Sequence, residues 1–174
     1  MPSITAYANN ILLHNQEQVK CALGMGGVAP EITKREGDGA SPEGVFPIRR
    51  IHVREDRVKD LKTALPTRTI TPDDLWCDAL DHPDYNRLIT HPLEASHERL
   101  WRDDHVYDII VELGFNDDPP IAGRGSAIFF HIARANYTPT RGCIAVSMSD
   151  MLRIVADLKP GDQFEISRMN APGS

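Results

Sequence analysis

The chain has 174 residues, about the size of one domain, and 41% of them are hydrophobic, enough for a folded core. Its formal net charge of −6 argues against a nucleic-acid partner, because proteins that bind nucleic acid present a basic balance or a basic face. No apolar run approaches about 18 residues, so we expect no membrane span, and no signal peptide is visible at the N-terminus.

Short strands dominate the predicted elements of the N-terminal half. Residues 4–13 and 18–23 are partly alternating and bounded by polar pairs, and residues 45–53 alternate apolar with charged side chains. Residues 55–65 are compatible with a short helix. Residues 66–100 are rich in Pro, Asp, His and Thr and have weak periodicity, which predicts a long irregular loop of the kind that is often functional.

The C-terminal half combines denser strands with one helix. Residues 106–115 and 127–133 are predicted to be buried strands, because both are short apolar runs rich in β-branched or aromatic side chains. A helix is predicted over about residues 149–158, where Ser149 is the expected cap and apolar residues recur at helical spacing. Residues 163–166 are predicted to form a closing strand.

The predicted fold class is mainly β with one α-helix packed on the sheet. Glycine and proline are distributed evenly, and no linker, charge run or repeat divides the chain into halves. We therefore expect a single domain over residues 1–168 and a loose C-terminal tail over residues 169–174.

One histidine and one cysteine form the most informative chemical pattern. His131 ends an apolar strand, and Cys143 follows a proline-containing turn and lies next to Gly142, which permits close approach to the sulfur. A free thiol is only a few per cent ionised at neutral pH, so a nearby base such as His131 or the positive charge of Arg141 would activate it. The same pattern also fits a buried histidine and an inert buried cysteine.

Other chemistry is not indicated by the sequence. The glycine-rich residues 36–47 lack the Gly-Lys-Ser/Thr ending of a phosphate-binding loop and predict a turn that leads into a strand. The seven histidines contain no His-x-x-x-His pair, and the chain has neither a Cys-x-x-Cys pair nor a Gly-x-Ser-x-Gly elbow. We expect no metal and no cofactor.

The pattern around the cysteine resembles a known family. Residues 140–144, Thr-Arg-Gly-Cys-Ile, with His131 upstream, resemble the Ser/Thr-His-Gly-Cys signature of the L,D-transpeptidases, the YkuD-like catalytic domain. Residues 37–48 resemble the family's Gly…Thr-Pro-x-Gly-x-Phe segment, and the likeness extends over about residues 18–167. Four further segments resemble the short, single-domain branch of the family: residues 73–78, 85–87, 96–101 and 123–131.

The resemblance implies a β-sandwich or open barrel and a cysteine acyltransferase that acts on peptidoglycan stem peptides as donor and acceptor. Cys143 matches the nucleophile, and His131 matches its base, an imidazole oriented by a backbone carbonyl. Thr140 and Gly142 match the flanking signature positions, with the backbone amides around Gly142 and Cys143 as an oxyanion hole. It also implies acylation by carbapenems and a location in the periplasm or cell envelope.

Two positions depart from the family pattern. Arg141 occupies the place where much of the family has a second histidine, and Ala145 occupies the place where the family often has asparagine. A guanidinium is always charged and can grip a carboxylate with two parallel hydrogen bonds. We therefore predict that Arg141 binds a substrate carboxylate and supports the thiolate.

Two alternative functions remain open at the level of sequence. A cysteine-dependent L,D-carboxypeptidase or amidase would use the same residues but let water attack the thioester. A non-catalytic wall-binding module is disfavoured by the presence of both Cys143 and His131.

The remaining cysteines and aromatic residues allow plainer interpretations. Cys21 is predicted to be packed, and Cys77 to be packed or, in an exported protein, paired with Cys21. Four aromatic residues are compatible with a substrate groove, although a core or loop-anchoring role is favoured for each: Trp76, Tyr85, Trp101 and Tyr107.

Overall fold

The computed structural model describes residues 3–173, and within them strands greatly outnumber helices. The single α-helix, α1, spans Met148–Asp157, and 3₁₀ turns cover Glu31–Thr33 and Ala135–Tyr137. The mainly β fold with one helix is therefore confirmed. The strands are β1 (Ile4–Tyr7), β2 (Ile11–His14), β3 (Glu17–Lys20), β4 (Val28–Ala29), β5 (Ser41–Pro42), β6 (Gly44–Val53), β7 (Thr67–Thr69), β8 (Leu75–Cys77), β9 (Leu88–Ile89), β10 (His97–Arg99), β11 (Ile109–Leu113), β12 (Phe129–Ile132), β13 (Ile144–Val146) and β14 (Gln163–Ser167).

The main sheet curls into a nearly closed barrel. Its strand order is β13-β12-β11-β6-β14-β1-β2-β3, and β7 pairs with β6 outside this path. The chain leaving β3 returns to the opposite edge, where Ala22 and Ala145 exchange two backbone hydrogen bonds of 2.8 and 3.0 Å. The expected open barrel is confirmed, and this bridge brings the first strands of the chain to the edge strand β13.

Alternation along β12 divides the molecule into two apolar layers. Phe130 and Ile132 point into the main core, whereas Phe129 belongs to a second cluster on the other face. Successive side chains of a strand point to opposite faces, so His131 shares that second face with Phe129. The register places His131 opposite Ala145 of β13 and Ile110 of β11.

Helix α1 covers the main core, but its cap differs from the prediction. The Ser147 hydroxyl accepts a 3.1 Å hydrogen bond from the Asp150 N–H, so Ser147 and not Ser149 is the N-cap. A capping oxygen reaches the backbone N–H two or three residues ahead, a distance that Ser147 meets and Ser149 does not. The helix side chains buried against the sheet are Met151, Ile154 and Val155.

The predicted irregular loop over residues 66–100 is interrupted by four short strands that the sequence analysis does not predict. This region holds β7 and a separate small sheet in which β8 pairs with both β9 and β10. Each of these strands has only two or three residues, too few to produce a periodic pattern. Trp76 of β8 packs edge-on against Phe129, with ring centroids 5.0 Å apart, so the small sheet covers the second apolar face.

The predicted short helix over residues 55–65 is also wrong. The segment forms turns, and Asp60 adopts a left-handed conformation with φ of +53°, which interrupts a right-handed helix. Val58 and Leu61 nevertheless pack against the main core, and this accounts for the apolar spacing that the sequence displays.

The C-terminal segment after β14 is hydrogen-bonded to the N-terminal strands as far as the structure describes it. The Ala8 N–H donates to Met169 O at 3.0 Å, and Gln18 Nε2 donates to Pro172 O at 2.8 Å. Ala171 is 4% exposed. The sequence predicts a loose tail here, whereas residues 169–172 contact the strands; residues 1, 2 and 174 lie outside the described part of the chain.

Candidate active site

The turn before β13 carries Cys143 and is folded by one threonine side chain. The Thr140 hydroxyl donates to Cys143 O at 2.6 Å and accepts from the Gly142 N–H at 3.1 Å. The Thr140 backbone is tied to the opposite barrel edge, since its N–H donates to Leu23 O and its carbonyl accepts from the Met25 N–H. The structure therefore explains the threonine of the signature as the residue that shapes the turn.

Gly142 allows the chain to pass close to a neighbouring strand. Its φ is +138°, a conformation that side chains with a Cβ rarely adopt, and a Cβ built there would lie 2.9 Å from Ala40 O. A larger residue would have to push the turn away from Ala40. Glycine thus fixes the approach of the chain to Cys143 by both its conformation and its lack of bulk.

The Cys143 sulfur is held by two backbone groups. Its thiol donates to Ala127 O at 3.1 Å, and the Phe129 N–H donates to Sγ at 3.4 Å. The residue is 9% exposed and belongs to the second apolar cluster. The sulfur is thus fixed at the start of β12, and its S–H points to the Ala127 carbonyl oxygen.

Burial keeps this thiol neutral at physiological pH. It raises the pKa of Cys143 to about 12, and the negative charge of Glu98 acts in the same direction. The hydrogen bond from the Phe129 N–H and the positive charge of Lys34 oppose this rise. The cation that acts on the thiol is therefore Lys34, whereas the exposed Arg141 acts instead on Glu98, whose pKa it lowers.

His131 is neutral as well and is oriented by the main chain. Burial is the largest cause of a fall in its pKa to about 4, to which the positive charges of Arg102 and Arg134 add. Nδ1 lies 2.9 Å from Ile132 O, which assigns the proton to Nδ1 and leaves Nε2 as the acceptor. The imidazole also meets the Tyr107 ring edge-on, with centroids 5.1 Å apart.

Cys143 and His131 open onto the same cleft, which has a volume of about 790 Å³. Thr140 and Arg141 line it as well, so the structure brings four of the five sequence-predicted site residues together around one space. The fifth, Gly142, lies buried beneath them. The ionisable side chains of the cleft wall, of both signs, are Lys34, Glu36, Asp78, His97, Glu98, Arg99, Arg102, Arg134 and Arg141.

Several residues of the cleft were not found from the sequence. Glu98 and Lys34 act electrostatically on the thiol, and the Tyr107 hydroxyl donates to Glu98 Oε1 at 2.5 Å. All three reach the cleft from distant parts of the chain. Glu98 lies in the family-like segment 96–101 and Tyr107 was considered for a groove, but the sequence places neither of them, nor Lys34, beside Cys143. Of the aromatic residues considered for a groove, Tyr107 lines the cleft, and Trp76 and Tyr85 are buried.

A family model for the L,D-transpeptidase catalytic domain, YkuD, matches residues 4–166 of the chain. The chain belongs to this family. The match covers β1 through most of β14 and therefore includes every residue of the Cys143 turn and of the His131 strand. The family is a peptidoglycan acyltransferase family, so the mainly β fold and the enzyme class both agree with the sequence prediction.

One solved structure that aligns with this chain is an L,D-transpeptidase from Mycobacterium smegmatis. The alignment has a TM-score of 0.39 and 11% sequence identity, and it covers 95% of this chain and 58% of that chain. This YkuD chain thus spans a little over half the length of that relative. No curated protein sequence matches it.

This YkuD domain shows no sign of a metal site or a membrane span in its described residues. Within residues 3–173, no three His, Cys, Asp or Glu side chains are grouped so as to hold a metal ion. No helix in that range is long and apolar enough to cross a membrane. All three cysteines are free, with Cys21 in the main core and Cys77 in the small sheet, so these two are not paired in this structure.

Proposed function

We propose that this protein is a peptidoglycan L,D-transpeptidase that cross-links stem peptides through a thioester on Cys143, with His131 as the general base. One observation carries the proposal: a thiol and an imidazole open onto one cleft, and the imidazole is held through Nδ1 so that Nε2 is free to accept a proton. Membership of the YkuD family supports the choice of substrate.

In the first half-reaction the thiol gives up its hydrogen bond to Ala127 O, and its proton transfers from Sγ to His131 Nε2 as Sγ attacks the donor carbonyl carbon. The donor bond follows the diamino acid of the stem and ends in D-alanine, as in the family. His131 then returns the proton to the leaving amine, and the thioester forms. Because both groups are neutral at rest, this transfer accompanies substrate binding and is not complete before it.

The oxyanion of this step is assigned to the backbone donors beside the sulfur. The Gly142 N–H already donates to Thr140 Oγ1, so the Cys143 N–H is the donor that we assign to the developing charge. Loss of one such donor typically costs ~10²–10³ in rate. Thr140 and Gly142 thus contribute by holding the turn, while Arg141 on the cleft wall binds a carboxylate of the stem peptide.

In the second half-reaction an amine of an acceptor stem attacks the thioester carbonyl and His131 takes its proton. The new amide is the cross-link, and the thiol is regenerated. Attack by water instead would make the enzyme an L,D-carboxypeptidase, which is the alternative function. Peptidoglycan lies outside the cytoplasmic membrane, so we place the reaction in the periplasm or cell envelope.

The test is intact-mass spectrometry after incubation with a carbapenem, followed by muropeptide analysis of digested peptidoglycan. We expect a covalent adduct on the wild-type protein that Cys143→Ala abolishes, and cross-linked dimers among the muropeptides. Trimmed monomers without dimers would favour the carboxypeptidase. Absence of both adduct and product, in a protein that melts cooperatively, would leave the wall-binding module as the remaining function.

A further inference from the structure

The carboxamide of Asn86 makes four hydrogen bonds in a buried position between three parts of the chain. Its Oδ1 accepts from Trp76 Nε1–H at 2.9 Å and from the Ala127 N–H at 3.0 Å. Its Nδ2 donates to Phe115 O at 3.1 Å and to Asn116 O at 2.7 Å. All four hydrogen-bonding positions of the amide are used, and the side chain thereby ties the small sheet to the segments that leave β11 and enter β12.

The backbone of Asn86 is as firmly placed as its side chain. Its N–H donates to Cys77 O at 2.8 Å, and its φ of +56° is in the left-handed region, which asparagine adopts more readily than most residues. The neighbouring Trp76 packs edge-on against Phe129. The Asn86 carboxamide is thus held firmly in a buried position behind the cleft.

Ala127 connects the Asn86 carboxamide to the Cys143 sulfur. It has φ of +53°, which is uncommon for alanine, so surrounding contacts have to hold it there. Its N–H is bound by Asn86 Oδ1, and its carbonyl accepts the thiol hydrogen of Cys143. One residue therefore lies between the Asn86 amide and the Cys143 thiol, with a hydrogen bond on either side.

A second tie restrains the same segment two residues earlier. The Tyr85 hydroxyl accepts from the Gly125 N–H at 3.1 Å and donates to Glu36 Oε2 at 2.5 Å. Two adjacent residues of the turn that joins β8 to β9 thus bind both Gly125 and Ala127. The small sheet therefore supports the segment whose carbonyl contacts the sulfur.

Accepting the proposed function, in which Cys143 is the nucleophile, we propose that Asn86 is a positioning residue for the thiol: through Ala127 it fixes both the sulfur and the carbonyl that holds the thiol hydrogen. Asn86 does not line the cleft. In this role it acts through Ala127.

Loss of the Asn86 carboxamide is therefore expected to raise one reactivity of Cys143 and to lower another. A hydrogen bond from the thiol to Ala127 O stabilises the neutral form, so its loss lowers the pKa of Cys143 and makes the thiol more reactive to a small alkylating agent at neutral pH. The sulfur also becomes less well placed, which slows acylation by a donor that needs a defined attack geometry. A general loosening of the fold does not by itself predict this combination.

The experiment uses Asn86→Gly, which removes the carboxamide but tolerates the positive φ. Alkylation of Cys143 by iodoacetamide is followed against pH by mass spectrometry of the Cys143 peptide, and carbapenem acylation is followed by intact mass. We expect the alkylation midpoint to fall by about one pH unit. We expect the acylation rate to fall by about tenfold or more.

The matched control is Asn15→Gly. Asn15 also has a positive φ, and its side chain makes hydrogen bonds with His14 Nε2 and Asp157 Oδ2, away from the cleft and from residues 125–127. We expect this variant to keep the wild-type alkylation midpoint. Equal shifts in both variants, or a wild-type midpoint and rate in a folded Asn86→Gly protein, would overturn the proposal.

Two further provisions keep the result decisive. If Asn86→Gly does not fold, Asn86→Ser, which loses the carboxamide but stays polar, is measured in the same way and judged by the same criteria. Alkylation requires no peptidoglycan substrate, so the alkylation midpoint of Cys143 still tests the role of Asn86 even if the wild-type protein fails to form a carbapenem adduct. Failure of the proposed function is therefore distinguishable from failure of the role of Asn86.

Discussion

The Tyr107 hydroxyl donates a 2.5 Å hydrogen bond to Glu98 Oε1 within the cleft. Burial raises the pKa of Glu98, while this hydrogen bond and nearby arginines lower it. Through the same Tyr107, whose ring meets the His131 imidazole edge-on, the acidic group is connected to the proposed base. Glu98 thus acts by its charge on the Cys143 thiol and is hydrogen-bonded to the residue that packs against His131.

Replacing Glu98 by glutamine is expected to lower the pKa of Cys143. The negative charge of Glu98 opposes ionisation of the thiol, so its removal shifts the alkylation midpoint of Cys143 to lower pH. The control is Glu94→Gln, which removes the same charge from an exposed position outside the cleft lining. An unchanged alkylation midpoint in Glu98→Gln would show that this charge does not influence the pKa of Cys143.

The acidic limb of the pH profile is expected to lie near pH 4. The folded pKa of His131 is about 4, below the usual value near 6.5, so the neutral imidazole that accepts the thiol proton persists well below pH 6. The measurement is kcat/KM for donor acylation between pH 3.5 and about 8. A midpoint between about pH 6 and 7 would contradict the neutral, buried resting state.

The same shift has a consequence for stability. Because the folded pKa of His131 is depressed, the unfolded chain binds more protons between about pH 6.5 and 4, and His131 favours unfolding increasingly as the pH falls through that range.

Gly142→Ala is expected to destabilise the fold and to abolish acylation. The strain of a positive φ costs about 1–3 kcal/mol, and the new Cβ would lie 2.9 Å from Ala40 O. Gly123→Ala is the matched control, since Gly123 also has a positive φ but no atom within 4 Å of a built Cβ. The melting temperature and the rate of carbapenem adduct formation should fall far more in Gly142→Ala than in Gly123→Ala. Equal losses in the two variants would refute the close contact.

Thr140→Val is expected to loosen the cysteine turn. The change keeps the shape of the side chain but removes the hydroxyl that bonds Cys143 O and the Gly142 N–H, leaving two polar groups unpaired at about 1–3 kcal/mol each if water does not replace the hydroxyl. Thr140→Ser retains the hydroxyl and should restore the acylation rate. If the valine and serine variants acylate equally fast, the hydroxyl has no part in holding the turn.

Arg141→Lys is expected to lower kcat/KM for the donor by about tenfold, because lysine keeps the charge but loses two-point binding of a carboxylate. The side chain is exposed on the cleft wall, and the substitution leaves the core untouched. The comparison is with Arg99→Lys, another exposed arginine of the cleft. An unchanged donor kcat/KM in Arg141→Lys would exclude two-point recognition.

The pattern of apolar and polar residues was sufficient to predict those elements that are determined by residues nearby in the chain. The helix followed from the apolar spacing of residues such as Met151 and Val155, with an error confined to the cap. The pairing of His131 with Cys143 was predicted from a strand followed by a turn, and the parallel register of β12 and β13 brings the two residues to one cleft.

The parts that escaped prediction depend on distant contacts. Strands as short as Leu88–Ile89 have no readable period, so the small sheet was mistaken for a loop. Asn86 and Glu98 lie in the family-like segments 85–87 and 96–101, but their importance follows from partners that the sequence does not place beside them, such as Ala127 and Tyr107. Burial at these positions is a property of the assembled fold.

The bridge between Ala22 and Ala145 determines at which stage of folding the surroundings of Cys143 are complete. Met25 and Thr140 extend the same junction, so the turn that carries Cys143 is completed by residues near the opposite end of the chain. Contacts so far apart along the chain carry a large loop-closure entropy and form slowly. Cys143 therefore acquires these contacts only after the chain from Ala22 to Ala145 has been synthesised and the barrel has closed, so the proposed activity depends on completed folding of this domain.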